Sequence, residues 1–415
     1  AERLQVPHGT RDRGGAGGVE GDVVVKTVPL GEIAEVRLGR QRSPKNHSGP
    51  QNRSYVRAAN VGWDGLKLDD VKTMNFTDAE MDIYRLRPGD LLLNEASGSP
   101  HEVGKPAMWM GEIEECAFQN TLLRVRPTAE VESRFLFHYL RQQALTAAFA
   151  RGSRGVGIHH LGREALSKWP IPLPPLDEQR RIAAILDRAY DVRSKQVQVI
   201  NNLEHLPEAI FVDMFGDPEH AVVSGATVPF GEVAELQGGR NLVADDQDAA
   251  SPFRVLKISA VTSGQFKPAE SKALPADYIP PQDHLVRQGD LLISRANTAE
   301  LVGAVAYVED LPGDLVLPDK IWRFVWRDPR SVPVYYRTLF LTPSVRRRMS
   351  QLASGTGGSM KNISKAKLVQ LELPKVGIAE QREFARRVAT IPRPSLSKTD
   401  ELLTSLQSSA FSGQL

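Results

Sequence analysis

Two glycine-rich loops carry the side chains of this 415-residue chain best suited to recognition chemistry. The first is Arg151-Gly152-Ser153-Arg154-Gly155-Val156-Gly157, followed by His159 and His160. The second is Ser354-Gly355-Thr356-Gly357-Gly358-Ser359, followed by Lys361 and Asn362. Such loops bring cations, hydroxyls, amides and bare backbone N–H groups close to phosphates and to the polar edges of bases. A second pair of loops follows two similar apolar runs. Asn94, Glu95 and Ser97 follow Gly89-Asp90-Leu91-Leu92-Leu93, and Ser294, Arg295, Asn297 and Thr298 follow Gly289-Asp290-Leu291-Leu292-Ile293. An arginine can bond both acceptors of guanine, and an asparagine can bond adenine. Arg40, Arg42, Lys45 and Arg240 lie on further polar loops, where they are candidates for phosphate contact.

The surrounding charge fits the same chemistry. The net charge is only +2, but Ser133 to Arg163 and Pro329 to Leu371 contain no Asp or Glu. The first window holds Arg134, Arg141, Arg151, Arg154, Arg163, His138, His159 and His160. The second holds Arg330, Arg337, Arg346, Arg347, Arg348, Lys361, Lys365 and Lys367. Two acid-free basic windows predict two positive faces, which phosphate backbones require.

Reaction chemistry finds little support. Gly98 to Gly104-Lys105 has the wrong spacing for a phosphate loop, and Pro106 stands where Ser or Thr is needed. Gly152 to Gly157 follows no apolar strand and opens no dinucleotide-binding unit. There is no Asn-Pro-Pro-Tyr-like motif for methyl transfer, and one Cys with nine scattered His offers no zinc spacing. Glu178 and Glu380 recur, but capping or packing at a helix start explains them better than acid–base catalysis. The lone Cys116 excludes an internal disulfide, so a cytoplasmic protein is expected. No leader or membrane-length apolar run is evident.

The elements that would position these residues occur in duplicate. Val28-Pro29-Leu30-Gly31-Glu32-Ile33-Ala34-Glu35 returns as Val228-Pro229-Phe230-Gly231-Glu232-Val233-Ala234-Glu235, and Glu178-Gln179-Arg180 returns as Glu380-Gln381-Arg382. The period is far longer than a solenoid repeat, so it marks a duplicated domain with its linker. In the first half, short β runs precede a helix expected over Arg134–Ala150. The stiff segment Trp169-Pro170-Ile171-Pro172-Leu173-Pro174-Pro175 then closes the unit. A long helix follows from Asp177, with apolar residues Ile182, Leu186, Ala189, Ile200, Leu203, Ile210 and Met214 at helical steps. Arg193 and Gln196 interrupt this seam, Pro207 offers a kink, and Gly216 and Pro218 end the helix. About 40 residues of helix span on the order of 60 Å. The second half repeats the order, with a helix expected over Val334–Gln351 and a terminal helix broken at Pro392 and Pro394.

These residues together resemble the specificity (S) subunit of type I restriction–modification systems. The best match is Ile171-Pro172-Leu173-Pro174-Pro175-Leu176-Asp177-Glu178-Gln179-Arg180-Arg181-Ile182. The two Gly-Asp-Leu-Leu strands, Asp213-Met214-Phe215-Gly216-Asp217 and the terminus from Ser405 to Leu415 support it. The resemblance implies an α+β fold of two tandem α/β target-recognition domains. Each is followed by a long helix, and the two helices pack as an antiparallel coiled-coil spacer with pseudo-two-fold symmetry. The implied layout is a Gly-rich extension over residues 1–27, recognition domains over 28–175 and 228–375, a central spacer helix over 176–217 and a C-terminal one over 376–415, interrupted near 391–394.

The implied function is non-catalytic. Each domain reads half of a split target in double-stranded DNA. The helices, through Glu178, Gln179, Arg180, Ile182, Leu186, Ile200, Leu203, Glu380, Gln381 and Arg382, set the spacing and recruit two methyltransferase (M) subunits. Restriction (R) subunits are optional further partners. No cofactor is expected on the chain itself; S-adenosylmethionine belongs to the partner methyltransferase. The alternatives are an S-like DNA-binding adaptor of another phage-defence complex, or a protein-binding structural hub.

Overall fold

The repeated Arg-x-Gly-Asp-Leu-Leu sequence sets its local structure first. Gly89 and Gly289 take φ of 91° and 89°, a region open to glycine because it has no Cβ. The next residue folds back: Asp90 accepts from the backbone N–H of Arg87 at 2.8 Å, and Asp290 from that of Arg287 at 2.7 Å. Each turn launches a fully buried strand, Leu91–Asn94 or Leu291–Ser294. A carboxylate removed from water needs a cation. Arg126 supplies it to Asp90 through two 2.7 Å contacts, and Arg323 supplies it to Asp290 at 2.8 Å. Burial pushes the Asp290 carboxyl up, against the pull of the Arg287 N–H and the Arg323 charge.

The computed structural model describes residues 26–151, 157–242, 251–354 and 360–415. The chain divides into two units, Ala1–Gln196 with Ser395–Leu415, and Val197–Pro394. Both mix helix and strand. In the first, an antiparallel sheet runs in the order Ala34–Leu38, Leu122–Pro127, Leu91–Asn94, Pro106–Met108. A second sheet orders Ala117–Phe118, Asn52–Val56 and Lys72–Asn75, with the first pair parallel. The second unit has the sheet Ala234–Gly238, Ile321–Trp326, Leu291–Ser294, Val305–Tyr307, and a further sheet of Ser271–Ala273, Phe253–Leu256 and Asp314–Val316. The Pro-rich segments close each unit: Thr27–Pro29 pairs with Pro170–Pro172, and Thr227–Pro229 with Glu372–Pro374.

The recurring Glu-Gln-Arg now has a cause. Gln179 is buried; its Oε1 accepts from Glu132 N at 2.9 Å, while Nε2 donates to Pro174 O at 2.9 Å. Gln381 is buried likewise, accepting from Val332 N at 3.2 Å and donating to Val376 O at 2.9 Å. Each glutamine ties the start of one helix to the start of another and satisfies N–H groups that a helix terminus leaves open. Glu380 accepts from Gly377 N at 2.8 Å, whereas Glu178 pairs with Arg181 at 2.7 and 2.8 Å and Arg180 with Asp177 at 3.2 Å. Arg382 is exposed.

The helix expected from Asp177 runs Leu176–Phe215 and continues through Pro207. In the first unit Ile182 and Leu186 are buried with Phe135 and Ala410. Arg193 and Gln196, which interrupt the apolar seam, make polar contacts to the terminal helix Ser397–Ser412. Arg193 pairs with Asp400 at 2.6 Å, Gln196 bonds Thr399 at 2.5 Å, and Tyr190 accepts from Gln407 at 2.7 Å. In the second unit Phe211 packs tilted or edge-on against Phe215, Tyr335 and Phe384 at 5.0–5.7 Å, and Ile200 and Leu203 line a cleft with Val388 and Ile391.

Two helix expectations need correction. The helix over Arg134–Ala150 is Ser133–Leu145, stopped where Ala147 takes φ 52° and a 3-10 turn follows. The helix over Val334–Gln351 is two helices, Pro333–Leu341 and Pro343–Leu352. Pro343 has no N–H and drives Thr342 to ψ 142°, out of the helical region. The terminal helix is likewise in two parts, Ile378–Ala389 and Ser397–Ser412.

Candidate nucleic-acid interface

Short chain pairings join the two kinds of marked loop. In the first unit Ala96–Ser97 pairs antiparallel with His159–His160, with Ser97 opposite His159 and Ala96 opposite His160. In the second unit Ala296–Asn297 pairs with Lys361–Asn362, with Asn297 opposite Lys361 and Ala296 opposite Asn362. Each ribbon is anchored the same way. Glu95 donates its N–H to Thr121 O at 3.0 Å and accepts from Leu161 N at 2.7 Å. Arg295 donates to Lys320 O at 3.0 Å and accepts from Ile363 N at 2.9 Å. Ser354 adds a further rung in the second unit through paired bonds with Asn362 at 2.9 and 3.0 Å.

Apart from Ala96 and the buried Ala296, the side chains on these ribbons are polar and at least partly exposed. His160 Nδ1 lies 3.2 Å from Glu95 Oε1, with 60% of the imidazole exposed. Asn297 donates to Thr262 Oγ1 at 3.1 Å and accepts from Thr298 N at 2.9 Å, and Thr298 contacts Glu300 at 3.4 Å. Arg151 and Ser354 are exposed beside the ribbons. Ser153, Arg154, Thr356 and Ser359 lie outside the described residues. Arg240 is exposed, and Arg42 is exposed at a cationic cleft shared with Arg57 and Lys72.

Three expected contacts do not reach the surface. Arg40 is only 9% exposed; it pairs with Glu80 at 2.6 Å, donates to Asn75 O at 2.5 Å and lies over the Phe76 ring. It is an internal tie between segments. Asn94 and Ser294 end the buried strands, at 5% and 0% exposure, because those strands are covered on both faces.

The basic windows are also less available than their composition suggests. Arg134 pairs with Asp187 at 2.6 Å, and Arg141 lies over the Tyr190 ring at 4.3 Å. His138 is buried against Asp187 at 2.8 Å, and burial pulls its pKa below the ordinary histidine value. Arg337 donates twice to Gly264 O at 3.1 and 2.9 Å, Arg346 to Glu300 O at 2.7 Å, and Lys365 to Leu236 O at 2.8 Å. These cations serve carbonyls inside the unit. Arg163 and Arg347 stay exposed.

Two exposed apolar residues beside the ribbons are marked by neither charge nor polarity in the sequence. Ile158 and Met360 immediately precede the two ribbon strands, at 62% and 46% exposure. Their equivalent placement at the ends of the Gly-rich loops was the available signal. A large apolar side chain held in water beside polar ones suits contact with a thymine methyl or a wedge between base steps.

Comparison with known proteins adds to this geometry. Residues 23–205 match the family described as the type I restriction modification DNA specificity domain. The chain is 25% identical over 358 residues to the type I restriction enzyme EcoKI specificity subunit of Escherichia coli, covering 80% of this chain and 76% of that protein. It is 24% identical over 276 residues to the MjaVIII specificity subunit of Methanocaldococcus jannaschii, covering 62% and 63%. A chain from a solved type I R-M system, studied for its complex assembly and conformational transition, shares the fold. Its TM-score is 0.54 at 19% identity, over 94% of this chain and 98% of that one.

Proposed function

Because the chain belongs to the family of type I restriction–modification specificity subunits, we propose that it reads a bipartite DNA target and positions partner methyltransferases on it. It is a specificity subunit and carries no catalysis of its own. The observation that carries the reading is the duplicated ribbon. In each unit two loops more than 60 residues apart in sequence bring donors and acceptors together on one anchored ladder. Two equivalent reading surfaces on one chain suit a target in two halves.

On this reading the recognition domains are residues 28–175 and 228–375. The helices Leu176–Phe215, Ile378–Ala389 and Ser397–Ser412 form an antiparallel spacer with pseudo-two-fold symmetry. A helix of 40 residues is about 60 Å long, enough to hold half-sites one to two DNA turns apart, at roughly 34 Å per turn. The exposed helix surfaces offer docking sites for two M subunits, with R subunits as further partners, and S-adenosylmethionine resides in the M subunits. Among the described residues no helix is long and apolar enough to cross a membrane. A cytoplasmic location is part of the proposal.

Binding measured against salt tests the phosphate contacts. Each neutralised phosphate adds about 0.9 to the slope of log affinity on log salt. Arg151→Ala with Arg154→Ala is therefore expected to weaken binding and flatten the slope by about 1 to 2. Ile158→Ser with Met360→Ser is expected to weaken binding several-fold with the slope intact, since no charge is lost. An unchanged slope in the arginine variant would remove that loop from the phosphate interface. A flattened slope in the apolar variant would show that those side chains act by holding neighbouring cations in place rather than by apolar contact.

A further inference from the structure

Glu95 and Arg295 occupy the same place in the two units. Each follows the buried strand, each donates its backbone N–H to the carbonyl before the central strand, and each accepts from the residue after the ribbon. Both side chains are half-buried. The ribbon registers also make His160 and Asn362 equivalent, opposite Ala96 and Ala296. The backbone is therefore constant and the chemistry is reversed: an acceptor with an imidazole in one unit, a guanidinium with an amide in the other.

The floors beneath differ to match. Leu123 pairs with Leu93, and Trp322 with Ile293, so Leu123 and Trp322 are equivalent. Arg295 lies over the Trp322 ring at 5.7 Å, a cation–π contact that steadies a planar guanidinium. Among the described residues its Nε is buried with no hydrogen-bond partner. A buried donor of this kind calls for an acceptor. Glu95 needs no aromatic support; His160 holds its carboxylate at 3.2 Å, leaving the second oxygen to accept elsewhere.

We infer that positions 95 and 295 are one shared base-selecting position, with opposite readings in the two halves. Arg295 donates to the O6 and N7 acceptors of guanine, and Glu95 accepts from the exocyclic amino group of cytosine. Asn362 and His160 contact the neighbouring pair. The inference rests on the reading of the chain as a DNA sequence reader and adds which base chemistry each half selects.

The test uses the whole chain co-expressed with its methyltransferase in a methylation-free host, with modified bases mapped by sequencing. The wild-type motif is expected to contain a guanine in one half and a cytosine in the other at the positions these residues read. Arg295→Gln should relax the guanine requirement by about 5- to 150-fold and leave the other half unchanged. Glu95→Gln should relax the cytosine requirement in the other half only. Arg295→Lys keeps the charge and loses the planar fork, so it should also relax specificity. Co-purification with the methyltransferase reports folding for each variant. Motifs unchanged in all three variants would overturn the inference, as would a loss of affinity equal across all sequences. A wild-type complex that marks no specific sequence would instead overturn the DNA-reading function itself.

Discussion

Gly239→Ala is expected to disrupt the second unit. A Cβ at Gly239 would overlap the backbone carbonyl of Leu317, and one at Gly39 would overlap that of Gln119. Both glycines directly follow the first strand of their sheet, where the chain crosses against the segment before the central strand. Gly239 donates to Pro318 O at 3.1 Å, and Asp319 donates back to Arg240 O at 3.1 Å. Backbone cannot swing aside like a flexible side chain, so the strand must separate and those bonds must lengthen. The cost is expected to exceed about 4 kcal/mol, in the tail reserved for strain and lost networks. That is a large part of the about 5–15 kcal/mol that stabilises a typical domain. Segment 317–320 also carries the carbonyl that anchors Arg295, so recognition of one half-site should go first. Thermal unfolding should show a transition lowered by about 10 °C or more, or lost, with a second transition kept by the first unit. A variant that melts like the wild type would mean that the close approach relaxes without cost.

Adding one helical turn to the spacer is expected to change the target and abolish marking of the original one. Four residues inserted between Arg193 and Leu203 lengthen the helix by about 6 Å, close to two base pairs. The site avoids Ile182 and Leu186 on one side and Phe211 on the other, which are buried in their units. The matching chain, Thr390 to Leu396, is not helical and can be extended by the same number of residues. Methylome sequencing should report the same half-sites with a spacer about two base pairs longer. Altered half-site sequences at the old spacing would refute the ruler role of the helix.

The long helix was legible because its signals are local: apolar steps from Ile182 onward, with Gly216 and Pro218 at its end. The repeated Gly-Asp turns were legible for the same reason. The break at Pro343 was also in the sequence, and a Thr-Pro pair inside an expected helix is reason enough to divide it. The reading surface was only half legible. Its two loops could be named, but Ser97 meeting His159 and Asn297 meeting Lys361 depend on pairings across more than 60 residues. Charge was the least reliable guide. Arg40 has partners 35 and 40 residues away, and Arg337 serves a carbonyl 73 residues away. No local pattern separates these cations from those that lie exposed, such as Arg151.

If this chain supplies sequence specificity to a methyltransferase that lacks it, the two proteins together mark DNA that neither marks alone. Co-expressing the two proteins in a methylation-free host and sequencing the modified bases tests it most directly. A split motif of two defined half-sites at fixed spacing is expected, present only when both proteins are made. A stable complex that leaves the DNA unmodified would contradict it, as would the same pattern from the methyltransferase alone.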